Sequence, residues 1–333
     1  MTPPLVPLFL LTYYDCYMPI PTIKQIAAKL VSFGERQFAG ELKAARYIEE
    51  LLRTYRISYV LQPFNVFIPK TLQAELFVDG KPLVCAGTSF VSGRIDTPES
   101  VYSSLLDDEA LLNKSNINFN PRCRGISISY MYWAPSVAIA PKDVARLAAA
   151  TSVQGRVVVK KIKQRSQNIL VGNLRNPQAI VFCHYDSIGP GAIDNASGSA
   201  TCIHQILRRP ELLKKNLFVV SGNEELSYDK PKYWGHGYRV FEKKYNQLLT
   251  NAKRVIIVDC VGYTPTEIRK DPYVLSLGFP IKRVKAVANK ALFITAEFDA
   301  LMRVYQSPLD LLHLLKSAYL TESERILETY LIK

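Results

Sequence analysis

Apolar positions along the chain follow two periods and divide it into three stretches. Residues 22–55 read as helical. Between Glu41 and Arg53 the apolar Leu42, Ala45, Ile48 and Leu52 recur at spacings of three and four, the spacing of one helix face. Gly40 marks a break before that run, and Glu49 and Arg53 stand one turn apart, where opposite charges pair on the wet side. Residues 57–68 follow as an extended segment, with Tyr59 and Leu61, then Phe64, Val66 and Ile68 beyond Pro63, in partial alternation.

From about 67 to 154 the pattern shortens to β-prone pieces at 74–78, 84–91 and 126–131, separated by turns and by a polar stretch at 113–125. This predicts a small β-rich insertion, and no cluster of His, Cys or acidic residues there suggests chemistry. A helix at 140–151 and a strand at 156–162 come next. Beyond them, apolar runs at 179–183, 217–221, 255–258 and 292–295 alternate with helical patterns at 196–207, 238–249 and 309–319. Such alternation is the signature of a βαβ-type sheet with helices on its faces. The expected fold is therefore α/β: a three-layer αβα domain with a mixed, mainly parallel central sheet, plus the small β-rich insertion. Residues 1–66 and 155–333 would form the main domain and 67–154 the insertion.

A chain of 333 residues can bury a sizeable core. Its 48% hydrophobic and 21% charged residues match ordinary soluble proteins, and no run approaches the roughly 20 apolar residues that cross a bilayer. The run at 5–14 (LVPLFLLTYY) resembles the centre of a signal peptide, but no basic residues precede it and no clear cleavage site follows. The six cysteines form no CxxC pair, so a reduced, cytoplasmic protein is expected in preference to a secreted one. A net charge of +13 raises the question of nucleic acid. Basic residues are instead spread through 156–175, 208–215 and 230–254 without a dense, aromatic-interleaved block, which fits a solvated basic surface. Neither nucleic acid nor membrane is expected as a partner, and the oligomeric state is left open.

In sheets of this kind function gathers beyond the carboxyl ends of the strands. The run ending at Cys183 continues into His184-Tyr185-Asp186, whose two-residue period sets His184 and Asp186 on one side. A carboxylate behind an imidazole is the usual support of a metal-bound histidine. Alone, the pair also fits an ordinary histidine in a turn. The glycine-rich turn that follows places Asp194 where a helix N-cap belongs. An aspartate there can instead give one oxygen to each of two metals. The next run leads to Glu224-Glu225, whose diverging side chains allow one carboxylate to bind metal and the other to handle protons. The third leads to Asp259. Separately these are plain turns and caps; together they put costly charge at one sheet edge, which metal binding would offset.

The segments HYDS, GPGAIDNASG, GNEE and VDCVG, in that order, resemble the zinc aminopeptidase family that includes secreted bacterial leucine aminopeptidases, with relatives such as glutamate carboxypeptidase, the transferrin receptor and glutaminyl cyclases. GERQFAGELKAARYIEELL is similar to that family's leading helix, and 67–154 falls where some members carry a protease-associated domain. The resemblance covers residues 25–66 and 155–320. It implies a zinc cofactor, one or two ions, and a peptide substrate. His184 and Asp259 would hold the first zinc, Asp194 would bridge, Glu225 would bind the second, and Asp186 would orient His184. Glu224 would be the general base that takes a proton from the attacking water and passes it to the leaving amine. An exopeptidase follows, aminopeptidase first, with carboxypeptidase action open and glutaminyl cyclisation less favoured.

One departure stands out. Tyr305-Gln306-Ser307-Pro308-Leu309-Asp310 occupies the place of a His-Thr-Pro motif followed by Asp, which sets Gln306 where the family has a zinc-binding histidine. An amide oxygen is a poorer zinc ligand than imidazole. His313, on a predicted helix, and His236, between two glycines, are the candidates to compensate, although both, like His204, are expected to be structural. The departure keeps open a second reading, a catalytically impaired relative acting as a binding or scaffold protein.

Overall fold

The computed structural model describes residues 19–96, 100–106 and 109–332, so the apolar run at 5–14 lies outside the described residues. The leading helical region is two helices, α1 (Ile23–Val31) and α2 (Ala39–Thr54). α1 begins in a capping box, Thr22 Oγ1 accepting from the Gln25 N–H and Gln25 Oε1 from the Thr22 N–H. The break falls at residues 32–38 rather than at Gly40: Gly34 adopts φ +73°, a conformation that ends helices, while Gly40 sits in the first turn of α2. Ala45, Ile48 and Leu52 are buried as their spacing predicts, and Leu42 is exposed. Arg53 and Glu49 pair at 3.5 Å.

Two long strands, β1 (Val60–Val78) and β8 (Val153–Gly172), run antiparallel from the Val60/Leu170 pair to the Val78/Val153 pair. The extended segments expected at 57–68 and 156–162 are parts of these arms. Between them lie β2 (Lys81–Pro82), β3 (Ala86–Gly87), β4 (Gly93–Ile95), β5 (Val101–Ser103), β6 (Asn116–Phe119) and β7 (Ser136–Ala138). β3, β7, β6 and β5 make a separate four-stranded sheet. Ile117, Val137 and Ile139 of that region pack on Leu76, Val78, Val153 and Val157 at the far end of the arms. α3 (Val144–Ala148) is shorter than the helix expected at 140–151. Asp79 Oδ1 accepts from the backbone N–H groups of Thr151 and Ser152, drawing the chain out of helical geometry before β8.

The rest alternates as expected: β9 (Ala179–His184), α4 (Gly198–Arg208), β10 (Asn216–Ser221), α5 (His236–Asn251), β11 (Arg254–Val258), β12 (Glu267–Arg269), α6 (Pro272–Gly278), α7 (Val284–Val287), β13 (Ala291–Thr295), α8 (Phe298–Leu301) and α9 (Ser317–Ile332). The helix expected at 309–319 is instead irregular chain with one tight turn, Leu312–Leu314, and helix begins only at Ser317. Tertiary bonds hold this stretch away from a helical ladder: Leu315 O accepts from Lys24 Nζ at 3.0 Å and the Lys316 N–H donates to Gly262 O at 2.8 Å.

The main sheet has the order β12-β13-β11-β9-β10-β8-β1-β2, with β4 also on β8. β13, β11, β9 and β10 are parallel, whereas β12, β8 and β1 are antiparallel to their neighbours. Alternate residues serve opposite cores. Ile180, Phe182, Leu217, Val219, Val255 and Ile257 meet Tyr238 and Phe241 of α5 and Leu275 of α6. Val181, Cys183, Phe218, Val220, Ile256 and Val258 meet Ile26, Ile48, Ile203 and Leu327 from α1, α2, α4 and α9. Burial on both faces is why these strands read as unbroken apolar runs, and the result is the expected three-layer αβα domain. Among the described residues no helix is long and apolar enough to cross a membrane.

β9 is the switch point of this sheet. The chain leaves β9 through α4 to reach β10 on one side, then returns through α5 on the other face to β11 on the other side. That reversal opens a crevice at the carboxyl end of β9.

Phe182 is fully buried with its ring 4.7 Å from Phe279 and 5.3 Å from Phe241. Phe182→Ala is expected to lower unfolding free energy by roughly 3–5 kcal/mol, whereas Leu72→Ala, at an exposed position, should stay within about 0.5 kcal/mol of the parent. Urea unfolding followed by circular dichroism measures both.

Candidate metal centre

Strand register brings the chemistry together. His184 is the last residue of β9 and pairs with Ser221, so Glu224 and Glu225 emerge just past the end of β10. On the other side Ile257 pairs with Phe182, which sets Asp259, two residues on, level with His184. Asp194 arrives from the turn that returns beneath the crevice. One ligand atom each from His184, Asp194 and Asp259 lies within 4.8 Å of the others. His184 Nε2 is 3.4 Å from Asp194 Oδ1 and 3.4 Å from Asp259 Oδ1.

Asp194 does not act as the helix cap. Its backbone is non-helical, and the turn is fixed by its neighbour: Asn195 Oδ1 accepts from the N–H groups of Gly198 and Cys260, and Asn195 Nδ2 donates to Val258 O. Asn195 thus ties the turn to β11 and leaves the Asp194 carboxylate to face His184. Gly191, at φ +54°, is required in this turn, since a Cβ there would lie 2.4 Å from Asp194 O and 2.4 Å from Ser187 Cβ.

Asp186 lies with Oδ1 3.4 Å from His184 Nδ1, a close contact that does not meet hydrogen-bond geometry. Its oxygens instead accept from the backbone N–H groups of Glu224 and Glu225, each at 2.9 Å. The residue expected to orient the imidazole is instead bonded where the two glutamates leave the sheet.

Two further residues build the site, and neither was singled out from sequence for such a role. Arg36, fully buried in the break between α1 and α2, donates to the carbonyls of Tyr185 (2.7 Å), Pro190 (2.9 Å) and Gly191 (2.7 Å), bracing the loop from His184 towards Asp194. Asp310 accepts from the N–H groups of Ile193 (2.7 Å) and Asp194 (3.0 Å). Arg36 carries no periodic signal; its only mark is a charge in the gap between two amphipathic helices. Asp310 was visible only as the end of the Gln306 motif.

Buried negative charge dominates the electrostatics. Burial lifts the Glu224 carboxyl to about 8, and the Asp186, Asp259 and Asp194 carboxylates add to the rise against the pull of His184. Burial raises Asp194, and raises Glu225 well above the carboxylate range. Asp310 is pushed up to about 7, again by burial first. Burial opposes charging of His184, yet the facing Asp259 carboxylate and its neighbours carry it well above its ordinary value. Burial draws the Arg36 guanidinium down to about 10 against the attraction of Asp310, Asp186, Glu225 and Asp194. Carboxylates outnumber the positive groups here, and an imidazole nitrogen converging with carboxylate oxygens suits a divalent cation such as zinc.

Glu225 and Gln306 are also brought together, but with each other. Gln306 Nε2 donates to Glu225 Oε2 at 2.6 Å and to the Tyr305 hydroxyl at 3.2 Å, while Glu225 Oε1 accepts from the Ile188 N–H at 3.3 Å. The other histidines are engaged elsewhere or exposed. His236 Nδ1 is 2.7 Å from Asp229 Oδ2, His204 Nδ1 is 2.6 Å from Glu324 Oε1, and His313 is exposed in the Leu312–Leu314 turn, not on the helix expected there.

The insertion supports one wall of the centre. Asn120 Nδ2 donates to Met302 O at 2.9 Å, Ser127 Oγ to Tyr305 O at 2.6 Å, and the Ile128 N–H to Gln306 O at 2.9 Å. Phe90 and Met131 of the insertion share an apolar cluster with Ile188, Leu226 and Tyr233 beside the glutamate loop.

No curated protein matches the chain. The family model described as Peptidase family M28 matches residues 158–306. Among solved structures, BSAP, a zinc aminopeptidase from Bacillus subtilis, is similar with a TM-score of 0.63 at 15% identity, over 94% of this chain and 96% of that one. A peptidase M28 precursor from Shewanella amazonensis SB2B gives 0.65 at 14% identity, over 93% and 92%. An aminopeptidase from Aneurinibacillus sp. strain AM-1 gives 0.57 at 17% identity, over 91% and 93%. These likenesses show a shared fold, while the family match spans His184, Asp186, Asp194, Glu224, Glu225, Asp259 and Gln306. Residues 158–306, which carry every one of those side chains, are similar to the family model of peptidase family M28.

Proposed function

We propose that the protein is a zinc-dependent aminopeptidase whose cation is held by His184, Asp194 and Asp259 and whose general base is Glu224. The observation that carries this reading is the convergence of those three ligand atoms within 4.8 Å, with the buried carboxyl of Glu224 drawn into the same field of charge. Removal of an N-terminal residue, rather than another exopeptidase action, is favoured by the aminopeptidases of Bacillus subtilis and Aneurinibacillus that share the fold. When bound, zinc supplies Lewis acidity at the scissile carbonyl and makes an attacking water easier to deprotonate.

The chain's own residues do the rest. Glu224 accepts the proton of the attacking water and returns it to the leaving amine. Asp186 fixes the Glu224 backbone through its N–H, so the base stays at one distance from the centre. Arg36 and Asp310 hold the loop that carries Asp194 by five hydrogen bonds to its backbone. Glu224, at 7% exposure, works in a setting from which bulk water is largely excluded. A binding protein that merely keeps the fold has no physical need for a carboxyl buried at this cost.

Glu224→Gln keeps shape and removes the base, so kcat for an aminoacyl-anilide should fall on the order of 10²–10⁴-fold with zinc content unchanged. A parent that binds zinc without any turnover would favour the scaffold reading instead. Chelation should abolish turnover and lower the melting temperature, and restoring zinc to about 1,000 times its Kd should return about 4 kcal/mol of stability. Hydrolysis that persists after zinc is stripped would sink the mechanism. Arg36→Ala, which frees the three loop carbonyls, should weaken zinc binding by roughly 10–100-fold in competition with a chromogenic chelator.

A further inference from the structure

We propose that this centre is built for a single divalent cation, at His184, Asp194 and Asp259, because Gln306 and Glu225 close on each other where a second ion would bind. The proposal rests on the metallopeptidase reading above.

Hydrogen-bond polarity decides the point. The Gln306 amide faces Glu225 with its NH2 group, so any cation at that spot would meet the positive ends of N–H bonds. Both amide hydrogens are used, one on Glu225 Oε2 and one on the Tyr305 hydroxyl, and the other carboxylate oxygen of Glu225 holds the Ile188 N–H. Turning the amide over to offer its oxygen to a metal would give up both of its hydrogen bonds in a place where Gln306 is 7% and Glu225 is 3% exposed.

The backbone holds this arrangement. Gln306 sits at φ +44°, a conformation that costs a non-glycine residue on the order of 1 kcal/mol. Its carbonyl is held by Ile128 and that of Tyr305 by Ser127. No imidazole is at hand to take the place of the amide. The sequence contains four histidines: His184 is in the centre, His204 is on Glu324, His236 is on Asp229, and His313 is exposed. Among the described residues the grouping able to hold a metal is His184, Asp194 and Asp259, without Glu225. Gln306 is then a positioning residue: it holds Glu225 as a hydrogen-bonded wall of the site rather than as a ligand.

The test is metal stoichiometry, read by mass spectrometry of zinc-loaded protein after gel filtration and by cobalt(II) titration of the metal-free chain, followed in the visible spectrum. One equivalent is expected in the parent, one in Glu225→Gln, which preserves the pairing with Gln306, and none tightly held in Asp259→Asn. Gln306→His removes the amide and offers an imidazole, so its cobalt titration should break at two equivalents. Two equivalents in the parent, or loss of the metal from a folded Glu225→Gln, would overturn the single-ion centre while leaving the peptidase reading intact. A parent that binds no zinc at all would overturn both.

Discussion

Repulsion among buried carboxylates is the constraint around which this molecule is arranged. Asp186, Asp194, Glu224, Glu225, Asp259 and Asp310 gather at the carboxyl end of β9, most of them scarcely exposed. Charges in such a place destabilise the fold unless each is neutralised or hydrogen-bonded. The chain answers with a division of labour. Asp186 and Asp310 are engaged by backbone N–H groups, Glu225 by an amide and an N–H, and Arg36 adds one fixed positive charge. What remains around His184 is the negative charge of Asp194 and Asp259, a remainder that suits a divalent cation.

The topology makes this concentration feasible. Parallel strands place their carboxyl ends on one edge, and the reversal of winding at β9 opens a crevice there. The flanking cores rest on alternate residues of the same strands. The crevice is therefore rimmed by a stiff sheet edge, and the positions of His184 and Asp259 are set by ladder register rather than by loops.

What could be read from the amino acids alone follows the range of the forces involved. The central strands were legible because burial on both faces leaves unbroken apolar runs, and the places of His184 and Asp259 because each follows such a run directly. Arg36 was illegible because its partners, Tyr185, Pro190 and Gly191, lie far along the chain and are backbone carbonyls that leave no mark in composition. The same holds for 309–316, whose periodicity suggested helix and whose hydrogen bonds run instead to α1, to Gly262 and to the turn before α4. Of the two readings open for Asp194, the helix cap falls to its neighbour Asn195 and the carboxylate turns to His184. The lengths of β1 and β8 were hidden since much of each arm is exposed and alternates only in part.

The hydrogen bonds from Asn120, Ser127 and Ile128 to the 302–306 segment give the small sheet a meaning beyond that of an appendage. Its docking points are the very carbonyls that hold Gln306 in place. A substitution at Ser127 or beside Ile128, well away from His184, Asp194 and Asp259, would act on the segment that carries Gln306. Inheritance can therefore adjust such an enzyme from its periphery, with every metal-binding side chain left untouched.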